Sequence, residues 1–574
     1  MTSATGITAV ETKRLFVDDL AVVTTDDFEK SQSLARKLHI PIEQAIAERG
    51  RVPMQFIMEQ VAASWGLQFT ALKTSAINPV IMRMIPLNVA RAANAVAFGF
   101  DAGRLSVALV DPRNQRTLDE LRRVTGKEIV PFLAEATAVQ RAHLLYRQEI
   151  RDLMRREADR TAVETSGTAD ATSLMTRVLD FAAVSGASDI HIEPYADELL
   201  IRCRIDGVLQ DVLTLPPPAG GPLTTRIKVL AGMRIDEKRI PQDGRFDHDA
   251  GGVPLDLRVS SLPTHFGEKL VLRVITRDTR TFDLEALGMR DDDYAQVSAC
   301  LARPHGLVLV TGPTGSGKST TLYSMVTRLT AERQSLVNIS TIEDPVEHEL
   351  PRVAQVSVNE LAGIDFAGGL RALLRQDPDI IMVGEIRDRE TAEIAVRAAL
   401  VGRLVLSTLH TNDTPTTIPR LIDMGVEPFL LSSTLSMVVA QRLVRRICDN
   451  CRERVPVDDD VRAMLETRPD WSTLLGHLRE RGTIRSDAEE LSDLRLFHGR
   501  GCAQCGGSGF RGRTGVFEIL RVNDEMRHAI ISRPGAATIA ALAADAGYRT
   551  MFEDGLTKVI LGETTLREVL RVAA

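Results

Sequence analysis

Residues Gly312-Pro313-Thr314-Gly315-Ser316-Gly317-Lys318-Ser319-Thr320 constrain what this chain can fold into more than any other stretch. They satisfy G-x-x-x-x-G-K-[ST], and the flanks are those the motif requires. Residues 307–311, Leu-Val-Leu-Val-Thr, are a short apolar run that predicts a buried strand, and residues 318–332 carry Leu, Met and Val at helical spacing. A strand, a glycine-rich turn and a helix in that order wrap backbone N–H groups around phosphates and aim the positive helix terminus at them. Lys318 then neutralises the β- and γ-phosphates, and the Ser319 hydroxyl serves Mg²⁺. A turn that bound nothing would need neither the lysine nor the hydroxyl. The stretch predicts a nucleotide-binding protein.

At 574 residues the chain is too long for one core, so three or four domains are expected. A net charge of −7 exerts no global pull on nucleic acid. No apolar run approaches the roughly 18–20 residues needed to span a bilayer. The opening Met-Thr-Ser-Ala-Thr-Gly-Ile lacks the basic-then-apolar pattern of a signal peptide. A cytoplasmic chain that meets a membrane only through partners is expected.

Residues 1 to about 20 read as loose, and residues 27–66 as helical. Strands follow at 96–100 and 105–112, then a helix at 116–125, giving a small docking or regulatory α/β domain over 1–147. Residues 148–172 are charged, then small and polar, which predicts a linker. A second α/β domain over 173–283 opens with a helix at 174–185 and continues with strands at 189–194, 199–207, 255–260 and 270–275, plus a helix at 226–231. His191 alternates with Ile190 and Ile192 and is expected to face solvent, while Cys203 is expected as a small buried hydrophobe.

The remaining residues, 284–574, repeat one plan: an apolar strand that ends in a polar group. Residues 337–347 end in Glu343, Asp344 and Glu347, residues 380–388 in Glu385, and residues 404–412 in His410. Ligands of open α/β sheets sit at the carboxyl ends of the strands, so Glu343, Glu385, His410 and the phosphate loop are expected on one rim. Glu385 stands where a second Mg²⁺ ligand belongs, Glu343 can polarise an attacking water, and His410 can hydrogen-bond a γ-phosphate. Arg258 and Arg273 lie on neighbouring strands, and Arg371 and Arg375 share a helix face; spacing alone leaves each pair as either functional or ordinary surface charge.

Cys448, Cys451, Cys502 and Cys505 form two C-x-x-C pairs. Four thiolates in two tight pairs suit tetrahedral, structural Zn²⁺, pinning a subdomain over 443–515 that holds a later helical segment at 528–562.

Together these motifs resemble the secretion ATPases of type II secretion and type IV pilus assembly. Ala187-Ser-Asp-Ile-His-Ile-Glu-Pro194 and Arg239-Ile-Pro-Gln-Asp-Gly-Arg245 resemble the family's second domain. Thr341-Ile-Glu-Asp-Pro-Val-Glu347 resembles its aspartate box, Ser407-Thr-Leu-His410-Thr-Asn its histidine box, and Gly384-Glu385-Ile-Arg-Asp388 its atypical Walker B motif. The resemblance implies a RecA-like P-loop ATPase core, a preceding PAS-like α/β domain, a small N-terminal α/β domain and a tetracysteine zinc subdomain. It implies ATP on residues 312–320, Mg²⁺ on Ser319 and Glu385, Glu343 as catalytic glutamate, and Arg258 and Arg273 as the arginines that close on the γ-phosphate. It also implies a hexamer, peripheral at the inner membrane, working against a platform protein and a cytoplasmic docking protein. Some members bind cyclic di-GMP in the first domain through an Arg-Leu-Gly opening. Here Pro41-Ile-Glu-Gln stands at that place, which disfavours the ligand.

Two further readings compete with a motor for secretion or pilus assembly. One is a DNA-translocating or DNA-transfer ATPase, marked by DNA-stimulated, salt-sensitive turnover. The other is a nucleotide-gated adaptor, against which the strand-end glutamates argue.

Overall fold

The computed structural model describes residues 7–38, 42–48, 52–72, 77–136, 138–139, 142–143, 145–146, 150, 154, 168–250, 253–276, 284–333, 336–457, 462, 465, 468, 470–484, 495–502 and 505–573. It forms two compact units, Met1–Arg277 and Asp278–Ala574.

The first unit opens with helix where looseness is expected. Thr8 and Glu11 close a reciprocal capping box, and Ala9–Lys13 runs on into a wider turn over Arg14–Asp19. Ile7 and Phe16 are fully buried among the helices Thr25–Leu38, Ile42–Glu48 and Met54–Ser64, so this segment completes a core rather than trailing from it. A four-stranded sheet follows: β1 (Gln68–Phe69), β2 (Ala95–Asp101), β3 (Arg104–Leu109) and β4 (Glu128–Leu133), in the order β1-β4-β3-β2. The helix Gln115–Thr125 makes the crossover between parallel β3 and β4 and ends on Gly126, whose left-handed backbone caps it. Of the expected linker, most lies outside the described residues. Met154 is buried in the core of the next sheet, and residues 168–172 are already helical, because the helix runs Thr168–Ser185.

That next sheet has six antiparallel strands: β5 (Ala187–Pro194), β6 (Leu199–Ile205), β7 (Val208–Leu215), β8 (Gln242–Ala250), β9 (Val253–Thr264) and β10 (Gly267–Thr276), in the order β7-β6-β5-β10-β9-β8. One face is apolar: Ile190, Ile192, Leu257, Leu270 and Leu272 pack with the helices Thr168–Ser185 and Gly220–Leu230, and Cys203 is buried with them as expected. His191 is an exception to the sequence reading. Its ring is half-buried, with Nδ1 3.9 Å from Glu193, so it does not simply face solvent.

The second unit is built on a seven-stranded sheet, ordered β13-β12-β14-β15-β11-β16-β19. Its strands are β11 (Gly306–Thr311), β12 (Ile339–Glu343), β13 (Ala354–Ser357), β14 (Ile380–Val383), β15 (Leu404–Leu409), β16 (Leu435–Ile447) and, after a separate two-stranded sheet of β17 (Arg452–Pro456) and β18 (Arg495–Gly499), the edge strand β19 (Phe510–Arg521). All pairings in the sheet are parallel except β16 with β19. In β11, Leu307 and Leu309 enter one apolar core and Val308 and Val310 the other. A continuous apolar run is what burial on both faces requires.

β16 and β19, neither read from the sequence, form a long antiparallel pair whose connected end carries the cysteines. The 443–515 boundary therefore falls inside two continuous strands, since Leu443 still pairs with Gly515. The expected helical segment at 528–562 is three helices, Asp524–Ile531, Ala536–Asp545 and Met551–Ile560. The last packs Phe552, Leu556 and Val559 against Trp471 and Leu474 of the excursion between the cysteine pairs.

Candidate active site

Parallel neighbours β12, β14, β15 and β11 end at the same edge, and the expected rim is there. β11 runs into the phosphate loop, and the helix Lys318–Glu332 starts at once from Gly317. Glycine is required at that cap: φ is +89°, and a Cβ would stand 2.8 Å from Gln441 Nε2. Lys318 Nζ donates to the carbonyls of Gly312 (2.9 Å) and Pro313 (3.1 Å), so the loop holds its own cation. Burial lowers the pKa of this ammonium, and Glu385 opposes the shift. Thr311 Oγ1 accepts from the Thr411 amide at 2.9 Å, fixing the end of β15 beside the loop.

Glu385 follows β14 by two residues. One of its oxygens accepts from Arg387 (2.6 Å), and the other lies 3.1 Å from His410 Nε2. Burial raises its pKa, but the hydrogen bonds from Arg387 and His410 outweigh that and hold the carboxyl below its ordinary range. Arg387 also reaches Asp344 at 3.7 Å, linking two strand ends.

Glu343 is the most confined of the acids. Oε1 accepts from Thr341 (2.6 Å) and Gln355 (3.0 Å), Oε2 accepts from the Tyr323 hydroxyl, and the residue is 4% exposed. Both oxygens are committed. Glu347 lines the same cleft as Ser319, Glu343 and Glu385 but is exposed, and its carboxylate has no hydrogen-bond or ion-pair partner among the described residues. Sequence reasoning named Glu347 among the strand-end carboxylates but gave it no role. It passed over Tyr323, four residues beyond Ser319 and so on the same helix face.

Arg258 and Arg273 belong to the first unit and are directly opposed across β9 and β10, with Arg245 opposite Arg258 on β8. Asp189 opposes Arg273 from β5, 3.8 Å from its Nε. Three arginines therefore lie abreast, and Asp189 next to them is shared with Arg204, which opposes it from β6 at 3.5 Å. Arg371 pairs with Glu390, and Arg375 donates back to the Arg371 carbonyl at 3.1 Å.

The cysteines come together. Cys448 Sγ is 3.8 Å from Cys502 Sγ, Cys451 3.9 Å from Cys505, and Cys502 3.8 Å from Cys505; all four sulfurs lie within 4.8 Å of one another. A tetrahedron with zinc–sulfur bonds of about 2.3 Å has edges of about 3.8 Å, whereas a disulfide needs about 2.05 Å. The Gly509 amide (3.1 Å) and Asn450 Nδ2 (3.3 Å) donate to sulfur, as they would to thiolates. The donor set fits zinc.

A complete phosphate loop on a central parallel strand, with acids closing the neighbouring strands, defines a RecA-like P-loop ATPase. The chain belongs to the family described as Type II/IV secretion system protein, which matches residues 164–571, and residues 65–151 match the MshEN domain. It is 38% identical over 542 residues to the type IV pilus assembly ATPase PilB of Thermus thermophilus, covering 92% of this chain and 58% of that one. It is 48% identical over 400 residues to type II secretion system protein E of Klebsiella pneumoniae, covering 70% and 75%. The Legionella pneumophila ATPase DotB shares the fold at 22% identity and a TM-score of 0.51, over 70% of this chain and 95% of that one. Among the described residues no helix is long and apolar enough to cross a membrane.

Proposed function

We propose that this chain is the motor of a type II secretion or type IV pilus assembly machine, hydrolysing ATP to ADP and phosphate as a homo-hexamer to drive pseudopilin or pilin polymerisation. The observation that carries this reading is the convergence of Ser319, Glu343, Glu347 and Glu385 on one cleft, with His410 paired to Glu385 at its edge. The names of the two sequence relatives support the process.

In this reading Lys318 exchanges the loop carbonyls for phosphate oxygens. Ser319 and Glu385, hard oxygen donors on one cleft, would hold Mg²⁺, which neutralises charge across the β- and γ-phosphates when bound. Glu347 orients and polarises the attacking water, because its carboxylate is open to the cleft. Glu343, with both oxygens engaged, fixes the shape of the segment that carries Glu347. His410 reports the γ-phosphate to Glu385, and Arg258 and Arg273 supply it with positive charge. Zinc on Cys448, Cys451, Cys502 and Cys505 is structural. The ring works in the cytoplasm, peripheral to the inner membrane through a platform protein and a docking protein.

The test is ATP turnover by zinc-replete protein across size-exclusion fractions, for wild type, Lys318→Ala, Glu343→Gln and Glu347→Gln. Turnover confined to a hexamer-sized fraction, and reduced at least a hundredfold in Lys318→Ala and Glu347→Gln, is expected. Equal turnover in a monomer fraction, or normal turnover in Lys318→Ala, refutes the reading. If Glu343→Gln abolishes turnover and Glu347→Gln does not, the two glutamates exchange roles.

A further inference from the structure

We propose that Tyr323 is a positioning residue for hydrolysis, its hydroxyl locking Glu343 and the segment that carries Glu347 to the helix that follows the phosphate loop. The proposal rests on the hydrolysis reading above and adds the device that sets the acids.

Tyr323 is 1% exposed, and its ring packs with Leu322, Met325 and Val326 beneath the sheet. A buried phenol needs partners for its oxygen, and a phenylalanine would fill the same volume without that need. The oxygen donates to Glu343 Oε2 and accepts from the amides of Glu347 (3.2 Å) and His348 (3.4 Å). One O–H donor and two lone pairs make this a full complement. All three partners lie within residues 343–348, on the strand end and loop that bear the candidate acids. The other end of the same helix turn is Ser319, at the phosphate loop. The phenol therefore ties the phosphate-bearing element to the acid-bearing one by a single atom.

The neighbouring contacts reinforce this role. Gln355 donates to Glu343 at 3.0 Å and to the His348 carbonyl at 2.9 Å, so the segment is held from β13 as well as from the helix. The Tyr323 and His348 rings meet edge to face, with centroids 5.5 Å apart. Burial and the Glu343 carboxylate push the phenol pKa well above its ordinary value, so it remains a donor at neutral pH.

The test compares Tyr323→Phe and Tyr323→Ala with wild type in the full zinc-replete protein. Three quantities are read: kcat for ATP, affinity for a fluorescent ADP analogue, and amide exchange over residues 344–350. The expected result is that Tyr323→Phe lowers kcat at least tenfold, leaves ADP affinity within twofold, and speeds exchange of the Glu347 and His348 amides at least fivefold. A kcat within twofold of wild type in Tyr323→Phe, with turnover lost only in Tyr323→Ala, assigns the residue to ring packing and overturns the proposal. So does ADP affinity that falls in step with kcat, or unchanged amide exchange. Exchange decides for Tyr323 even if wild type fails to hydrolyse ATP, a result that would count against the hydrolysis reading instead.

Discussion

Arg258 lies between Arg245 and Arg273 in register across three strands, and no carboxylate lies within salt-bridge distance of it among the described residues. Replacing it by Met keeps the aliphatic stem and removes one charge. Facing side chains on adjacent strands place guanidinium groups about 7 Å apart, where two like charges in water repel by about 0.6 kcal/mol. Two such neighbours give about 1.2 kcal/mol, which screening cuts to about 0.9 kcal/mol at 10 mM salt, 0.5 at 0.15 M and 0.1 at 1 M. Asp256, two residues along β9, and Asp247 and Asp243, diagonal on β8, share that face at about 7–8 Å and attract Arg258 by about 1.3 kcal/mol at 10 mM salt, while Asp189, two strands away, is already paired with Arg204. Arg258→Met is therefore expected to destabilise the sheet by roughly 0.4 kcal/mol at 10 mM salt, with the loss vanishing by 1 M. Hydrogen exchange of β9 and β10 amides reads this as an approximately twofold fall in protection at low salt. ATP turnover of the same variant should fall at least tenfold. Protection that rises, or falls equally at every salt concentration, would refute the electrostatic argument. A destabilised variant with full turnover would show that the charge serves the sheet and not hydrolysis.

Chelation of zinc, or Cys502→Ser, should release one metal ion per chain and expose residues 452–501 to protease, as measured by metal analysis and limited proteolysis; a metal-free wild type that resists cleavage would count against a structural site. Glu568 has its pKa raised by burial and lowered more strongly by hydrogen bonds from Arg445 and Arg571, ending at about 2 against an ordinary 4.5. The stability it contributes is full above pH 4.5 and is lost as pH falls towards 2. Glu568→Gln should flatten that acid limb in a denaturation series, and an unchanged slope would show the pairing to be without consequence. Lys228 and Glu268 form a buried pair at 2.7 Å. Lys228→Met alone should destabilise by about 3–5 kcal/mol in chemical denaturation, because it strands the carboxylate.

The site was legible where chemistry and local pattern coincide. The phosphate loop, its flanking strand and helix, the four cysteines and the polar ends of β12, β14 and β15 are each marked by residue type at fixed spacing. What escaped has no such mark. β16 and β19 pair at long range, and only the partner strand makes sense of Leu435–Ile447 as an uninterrupted 13-residue strand. Residues 7–19 are about as apolar as the rest of the chain but show no clear period, and their order comes from burying Ile7 and Phe16 against helices further along the chain. Spacing also cannot tell a strand-end acid that faces the cleft from one turned inward. That distinction separates Glu347 from Glu343, and it depends on Tyr323, Thr341 and Gln355 arriving from three places. The arginine row shows the same limit, since Arg245, Arg258 and Arg273 become neighbours only through strand register.

β16 is hydrogen-bonded to the phosphate-loop strand, with Ala440 opposite Thr311, and it continues, through a register shift against β19 between Arg445 and Ile447, to the residue before Cys448. Seven further residues at about 3.3 Å each put the cysteine knot about 23 Å beyond Thr311 along one strand. A tilt of about 5° at the root would sweep its tip by about 2 Å. The knot thus acts as the far end of a pointer whose pivot is the phosphate loop, and its fifty-residue head is carried wherever that pivot turns.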